Sequence, residues 1–378
     1  MKRILILGGG FGGVAAARRL RQTLAADDEV ILVDKRTHFM VGFRKTWALV
    51  GEAPLEAGQR PLNSLAQIGV RVMHDSVTAL DPKARAAEVG GRRIEADALV
   101  VALGADLAPE AIPGFQAHAL NVYDRDDIPR AARALNEFRT GKLVLGIFGV
   151  PYKCPPAPYE MALLIGGFLR ARGVQAAVEV FSPQPMSLPI LGQVGCDVIE
   201  SRLAENGITF LPNHKATAVE AGAVVFANGK RPYDLLLGVP PHRPPAVVRE
   251  SGLVDGSGWV SVNARTLETQ FPGVYAIGDV AQLMMANGKP LPKAGVFAEA
   301  MGEVAADRIA ASLAGQTPTA AFAGEGGCYL EVGQGQAMMV QGRFLAEPEP
   351  EIALTEASAK YFAEKQAFET GRLQAWFE

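Results

Sequence analysis

Three side chains of this sequence can carry thiol chemistry, and their surroundings differ. Cys154 lies in Gly149-Val150-Pro151-Tyr152-Lys153-Cys154-Pro155-Pro156-Ala157-Pro158-Tyr159-Glu160, between an apolar run, Leu143–Phe148, and a helical run from Pro158 to Arg172. A cysteine where a strand ends and a helix begins feels the positive helix terminus, and an adjacent cation such as Lys153 favours the thiolate. The pattern predicts a reactive thiol rather than the small buried apolar residue that a single cysteine usually is. Glu160 is either a proton carrier near Cys154 or a complement to the first helical turn. Cys328, in Gly326-Gly327-Cys328-Tyr329-Leu330-Glu331-Val332-Gly333, is expected on a strand whose partner, Gln336 to Phe344, follows a glycine turn. Cys196, in Gly195-Cys196-Asp197-Val198, reads as a structural helix thiol. His242, in a proline-rich loop, has the chemistry to accept a proton near neutral pH, but its setting reads as that of an ordinary exposed histidine. No metal site is expected.

The elements that position these groups begin at the N-terminus. Ile4–Leu7 reads as a buried parallel strand feeding Gly8-Gly9-Gly10-Phe11-Gly12-Gly13 and a helical run from Val14 to Leu24. This is G-x-G-x-x-G between strand and helix. Gly8 allows the tight turn, Gly10 lets backbone approach a pyrophosphate, Gly13 lets the helix pack closely, and the helix terminus supplies positive potential. A second strand, Glu29–Val33, ends at Asp34, placed to accept hydrogen bonds from a ribose. Far downstream, Phe271-Pro272-Gly273-Val274-Tyr275-Ala276-Ile277-Gly278-Asp279 puts an acid beside a glycine at a strand's carboxyl end, where α/β proteins bind ligands.

Together these motifs resemble the two-dinucleotide-binding-domain flavoproteins. The resemblance implies that Gly8, Gly10 and Gly13 hold FAD, that Asp34 meets its ribose, and that Gly278 and Asp279 contact its ribityl chain and pyrophosphate. Ala96-Asp97-Ala98-Leu99-Val100-Val101-Ala102-Leu103-Gly104-Ala105 matches the strand and glycine turn that close the first FAD segment in those proteins. Pro290-Leu291-Pro292-Lys293-Ala294-Gly295 precedes a helical run from Val296 to Leu313. Lys293 therefore either faces the pyrimidine edge of a reduced flavin or is a solvated loop lysine. The fold class expected is α/β with two Rossmann-like domains. The FAD domain, 1–106 and 239–315, is split by an inserted domain, 107–238, and a C-terminal hairpin-and-helix region, 316–378, caps the flavin.

In such flavoproteins the inserted domain usually repeats the fingerprint to hold NAD(P)H. Here four prolines occupy the turn after Leu143–Phe148, and proline has no N–H to offer a phosphate. The next strand, Ala177–Phe181, ends in Ser182 rather than an acid. The K-C-P-P-A-P-Y-E segment and the late G-C-Y strand are similar to the sulfide:quinone oxidoreductases and to the flavoprotein subunit of flavocytochrome c sulfide dehydrogenase. Tyr233-Asp234-Leu235-Leu236-Leu237 and Val239-Pro240-Pro241-His242 extend the likeness over most of the chain. It implies a redox-active pair, Cys154 with Cys328, 174 positions apart, against the isoalloxazine. It also implies sulfide or polysulfide as substrate and a quinone or cytochrome c as electron acceptor. Some sulfide:quinone oxidoreductases carry a further cysteine between the positions of Asp106 and Tyr123; this chain has none there.

Composition narrows the alternatives. A net charge of −3 without a long run of one sign excludes a polyanion-binding role, so no nucleic acid partner is expected. Three cysteines are too few for a disulfide scaffold, and 41 glycines among 378 residues exceed the usual share of about 7%. No apolar stretch of spanning length occurs, and Met1-Lys2-Arg3 runs straight into the first strand without a secretory signal. The expected location is cytoplasmic or peripheral on the cytoplasmic membrane, which favours quinone over an exported cytochrome. Between Ser358 and Phe377, Tyr361, Phe362, Phe368, Leu373, Trp376 and Phe377 share half a helical wheel, interrupted by Lys365, Glu369 and Arg372. That face is either a membrane anchor or a core or dimer surface. A type II NADH:quinone oxidoreductase and a non-catalytic flavin redox sensor are the competing readings.

Overall fold

A computed structural model describes residues 1–378. Its first sheet is parallel, with the strands in the order Val274–Ala276, Ala98–Val101, Arg3–Leu7, Glu29–Val33 and Val70–Met73. These strands are aliphatic along their length because helices and loops cover both faces; Ile4 to Leu7 and Leu99 to Val101 are fully buried. Leu7 pairs with Val33 on one side and Val101 on the other, so the glycine turn that follows opens at the centre of the sheet. The helix Phe11–Thr23 packs against Gly295–Leu313. A Cβ on Gly302 would lie 2.3 Å from the Gly12 carbonyl oxygen, so glycine there permits the close crossing.

The second sheet repeats the plan: Leu120–Asn121, Leu235–Val239, Thr140–Ile147, Gln175–Phe181 and Ile208–Leu211, all parallel. The central strand starts three residues earlier than its apolar run because Thr140, Gly141 and Lys142 pair in register with Gln175, Ala176 and Ala177. Each sheet carries a three-stranded antiparallel appendage, 77–95 on the first and 216–232 on the second. A third unit consists of the antiparallel strands Glu325–Gly333, Gln336–Arg343 and Glu351–Leu354, followed by the helix Ala359–Phe377. Cys328 pairs with Val340 in the hairpin expected from the sequence.

The C-terminal helix turns its aromatic face inward. Leu373, Trp376 and Phe377 join the core of the first sheet, where Trp376 meets Phe11 and Phe39 edge-on. The part of that face formed by Leu373, Trp376 and Phe377 is thus a core surface, while Tyr361 and Phe362 stay half-buried. Lys365 and Glu369, which looked like interruptions, are buried ion-pairing groups. No helix is long and apolar enough to cross a membrane.

Candidate functional site

The carboxyl ends of both parallel sheets and the hairpin of the third unit open onto one cavity of about 300 Å³. Gly10, Gly104, Gly278, Asp279 and Lys293 line it from the first sheet, Cys154 and Glu160 from the second, and Cys328 from the hairpin. The fingerprint glycines divide their work. Gly8, at φ +108°, would place a Cβ 2.2 Å from the Ala102 oxygen, and Gly13 would place one 1.8 Å from the Gly8 oxygen, so both fold the turn. A Cβ on Gly10 would meet nothing within 4 Å, leaving open the space through which a phosphate group can approach the turn. Gly13 also lets the helix sit close on the first strand, where a Cβ would lie 3.5 Å from Ile6, while Gly12, against the Ala298 oxygen, and Gly302 let the two helices cross closely.

Asp34 stands behind this turn rather than in the cavity lining. Its carboxylate accepts the Gly9 N–H at 2.7 Å and the Arg36 N–H at 2.8 Å. Burial works to raise its pKa, but Arg36 and these N–H groups outweigh it and hold the group below the usual range. Arg36, which the motif did not flag, lines the cavity.

Lys293 is buried, which overturns the solvated-loop alternative. Its ammonium donates to the carbonyls of Asp279 (2.6 Å) and Ala281 (3.2 Å) and lies 3.5 Å over the Trp259 ring. Burial lowers its pKa to about 8, against the pull of Asp279. The N-terminus of the helix Gly295–Leu313 faces the cavity beside it.

Cys154 is the most constrained residue of the site. Its backbone has φ +52°, a left-handed conformation costing a non-glycine residue about 1–3 kcal/mol. The surroundings hold it there. Its N–H donates to the Lys293 carbonyl at 2.7 Å, and its own carbonyl accepts from the Ala157 N–H and the Tyr123 hydroxyl. The expectation of a thiolate favoured by Lys153 is corrected. Burial and then Glu160 push the Cys154 thiol up to about 11, and the cations acting against them are Lys45 and Lys365. The Lys153 charge instead falls among Asp279, Arg36, Asp106 and Asp124. The Cys328 thiol is pushed further up, by burial and then by Cys154 and Glu160. Both are free thiols.

Glu160 is 2% exposed and does more than complement a helix turn. One oxygen pairs with Lys365 Nζ at 2.8 Å and the other accepts the Glu331 N–H at 2.8 Å. Lys365, wholly buried, also binds Glu331 at 2.8 Å, and Glu331 accepts Trp47 Nε1–H at 2.9 Å. Burial, reinforced by Glu331, raises the Glu160 pKa despite Lys365. Two carboxylates share one ammonium, so a proton on Glu160 removes the surplus buried charge. Neither Glu331 nor Lys365 stood out by motif; the only signal was a charge in the apolar face of the last helix.

Two further expectations resolve. His242 is buried, not exposed: its Nδ1 lies 2.9 Å from the Pro240 carbonyl, and burial, with Lys153 and Lys293 nearby, lowers its pKa to about 3. It stays neutral at ordinary pH. Cys196 is a packed helix residue whose Sγ–H donates to the Leu188 carbonyl.

Comparison with known proteins agrees with this architecture. Residues 2–302 match the family described as pyridine nucleotide-disulphide oxidoreductase. The chain belongs to that family. It is a FAD-dependent oxidoreductase, and the open approach at Gly10, with Gly278 and Asp279 across the same cavity, suits a dinucleotide cofactor. It is 24% identical over 363 residues to a mitochondrial sulfide:quinone oxidoreductase of Mus musculus, covering 91% of this chain and 79% of the relative. A type II NADH:quinone oxidoreductase of Staphylococcus haemolyticus is 23% identical over 357 residues, 84% of each chain. The solved sulfide:quinone oxidoreductase of Aquifex aeolicus shares the fold at a TM-score of 0.90 and 22% identity, covering 100% of this chain and 92% of that one. The flavoprotein resemblance read from the motifs thus holds.

Proposed function

We propose that this flavoprotein oxidises hydrosulfide through a Cys154–Cys328 disulfide and delivers the electrons to a quinone. The observation that carries the reading is the meeting of Cys154 and Cys328 in one cavity beside Glu160, the first from the turn after the second sheet's central strand and the other from the hairpin of the third unit. On this reading residues 1–106 and 239–315 hold FAD, 107–238 form an inserted domain without a nicotinamide site, and 316–378 cap the flavin. Gly8, Gly10, Gly13, Asp34, Gly104, Gly278, Asp279 and Lys293 serve the cofactor.

An environment that penalises thiolates favours the neutral forms of sulfur, protonated or joined in a disulfide. Attack by hydrosulfide on one cysteine makes a new S–S bond, a persulfide, and breaks the old one, with the other cysteine leaving as thiolate. The better leaving sulfur is the more acidic thiol. Lys45 and Lys365 oppose the burial penalty at Cys154, and no cation does so at Cys328. Hydrosulfide therefore attacks Cys328 and Cys154 departs. Burial pushes Glu160 towards its protonated form, and from there it gives a proton to sulfur when a thiolate must be neutralised. Bound FAD would supply the two-electron carrier between the thiols and the quinone. Each further hydrosulfide adds one sulfur to the chain with loss of a proton and of two more electrons to the quinone, and the Cys154 thiolate then attacks the Cys328 sulfur, re-forming the disulfide and releasing the chain as a hydropolysulfide.

The test is acceptor-specific. Protein reduced anaerobically by sulfide is mixed with a short-chain quinone or with cytochrome c. Reoxidation by quinone alone supports the reading, reoxidation by cytochrome c alone supports the flavocytochrome-type alternative, and absence of reduction by sulfide removes both.

A further inference from the structure

A second pocket, of about 30 Å³, adjoins the cavity given to the cofactor. Its walls include the Pro155-Pro156 pair that follows Cys154, the half-buried Ile190 of the turn Pro189–Leu191, Val340, and the rings of Phe297 and Phe344, which stand edge to face at 4.8 Å. The surface they form offers no nitrogen or oxygen. Cys328 borders both spaces, whereas Cys154 borders only the cofactor cavity.

An ion or a water molecule in this pocket would lose hydrogen bonds and gain none. Sulfane sulfur has none to lose and, being polarisable, packs well against aromatic rings. The one reactive atom on the wall is the Cys328 sulfur. We propose that the sulfur chain built on Cys328 lies in this pocket, outside the cofactor cavity, and that the pocket ends its growth, with Ile190 and Val340 setting the length. The space suits about two atoms of water size, so the chain stops at about two added sulfurs. Each addition forms one S–S bond, with loss of a proton and of two electrons to the quinone. A chain that fills the pocket grows no further and leaves when the Cys154 thiolate attacks the Cys328 sulfur, so the product is a short hydropolysulfide rather than a long chain or a ring. The inference rests on the reading that hydrosulfide attacks Cys328.

The test reads chain length rather than activity. Full-length FAD-loaded protein turning over anaerobically with sulfide and a short-chain quinone is quenched with an alkylating agent, and the added sulfurs on the Cys328 peptide are counted by mass spectrometry. The wild type should carry no more than about two. Val340→Phe fills the pocket from the strand position paired with Cys328, and Ile190→Phe fills it from the turn Pro189–Leu191. Each should cut the share of chains with more than one added sulfur about tenfold, while reduction of the flavin by a first equivalent of sulfide keeps its wild-type rate. Ile190→Ala, which widens the pocket, should lengthen the chains. Unchanged chain lengths in both filled variants, with FAD retained, overturn the proposal, and so do long chains on wild-type Cys328. Added sulfur on Cys154 alone, or on neither cysteine, removes the reading that Cys328 is attacked and the pocket assignment with it.

Discussion

The two parallel sheets of this protein each send a central strand into a turn and a helix, yet the turns are chemical opposites. After Arg3–Leu7 come Gly8 to Gly13, with Gly10 bordering open space. After Thr140–Ile147 come Val150 to Pro158, with four prolines, and the one N–H at Cys154 is already given to the Lys293 carbonyl. The first turn can offer backbone donors to a phosphate; the second offers a thiol. What lies behind each turn differs in the same sense. Asp34, behind the first, is held ionised by Arg36, whereas Glu160, behind the second, is pushed towards its protonated form. One scaffold, used twice, therefore yields an anion cradle and a thiol site, and the turn residues decide which.

The comparison breaks most severely at the thiols. Cys154→Ser should keep FAD and lose sulfide-driven quinone reduction by more than about a thousandfold, measured as steady-state turnover, because an attacked or departing sulfur has no substitute. Unchanged turnover would remove Cys154 from the chemistry.

Next is the buried charge behind the second turn. Lys365→Met strands Glu160 and Glu331 without their shared ammonium and should destabilise the fold by about 3–5 kcal/mol in denaturant titration. The turns themselves are the third contrast. Gly13→Ala puts a methyl 1.8 Å from the Gly8 oxygen, whereas Gly149→Ala puts one 3.0 Å from Pro241. The first variant should be isolated largely without FAD and the second with a full complement, as read from flavin absorbance per chain.

The two carboxylates also give stability slopes of opposite sign. Asp34 has a depressed pKa, so its contribution is present above the unfolded carboxylate value of about 4 and is lost as pH falls through the folded one. Glu160 has a raised pKa: the folded state binds the extra proton, so its contribution declines as pH rises from the unfolded value to the folded one. Glu160→Gln should flatten that decline in thermal melts taken across acid to neutral pH. The smallest effect belongs to Cys196→Ala, about 1 kcal/mol of stability from lost packing with turnover preserved.

Much of this was legible in the chain. Aliphatic strands announced both sheets, the glycine turn marked the first and the cysteine-proline turn marked the second as unusual, because these signals are local. What escaped notice depends on direction and distance. Lys153 adjoins Cys154 in sequence, yet its charge falls among the aspartates, while the cations that oppose the burial of the thiol, Lys45 and Lys365, are each over a hundred positions away. His242 sits in a loop that looked exposed but is covered by Tyr123 and its neighbours. Lys365 and Glu369 spoiled an apolar helical face in the sequence; folded, they meet Glu160 and Arg44 from other units, and no periodicity reports such partners.

The central claim is that the second turn serves sulfur chemistry and not a nicotinamide. An anaerobic titration of the FAD-loaded protein, first with sulfide and separately with NADH, addresses it through the flavin absorbance. Rapid bleaching by stoichiometric sulfide, with none by NADH, is the predicted result. Bleaching by NADH and indifference to sulfide would contradict the account.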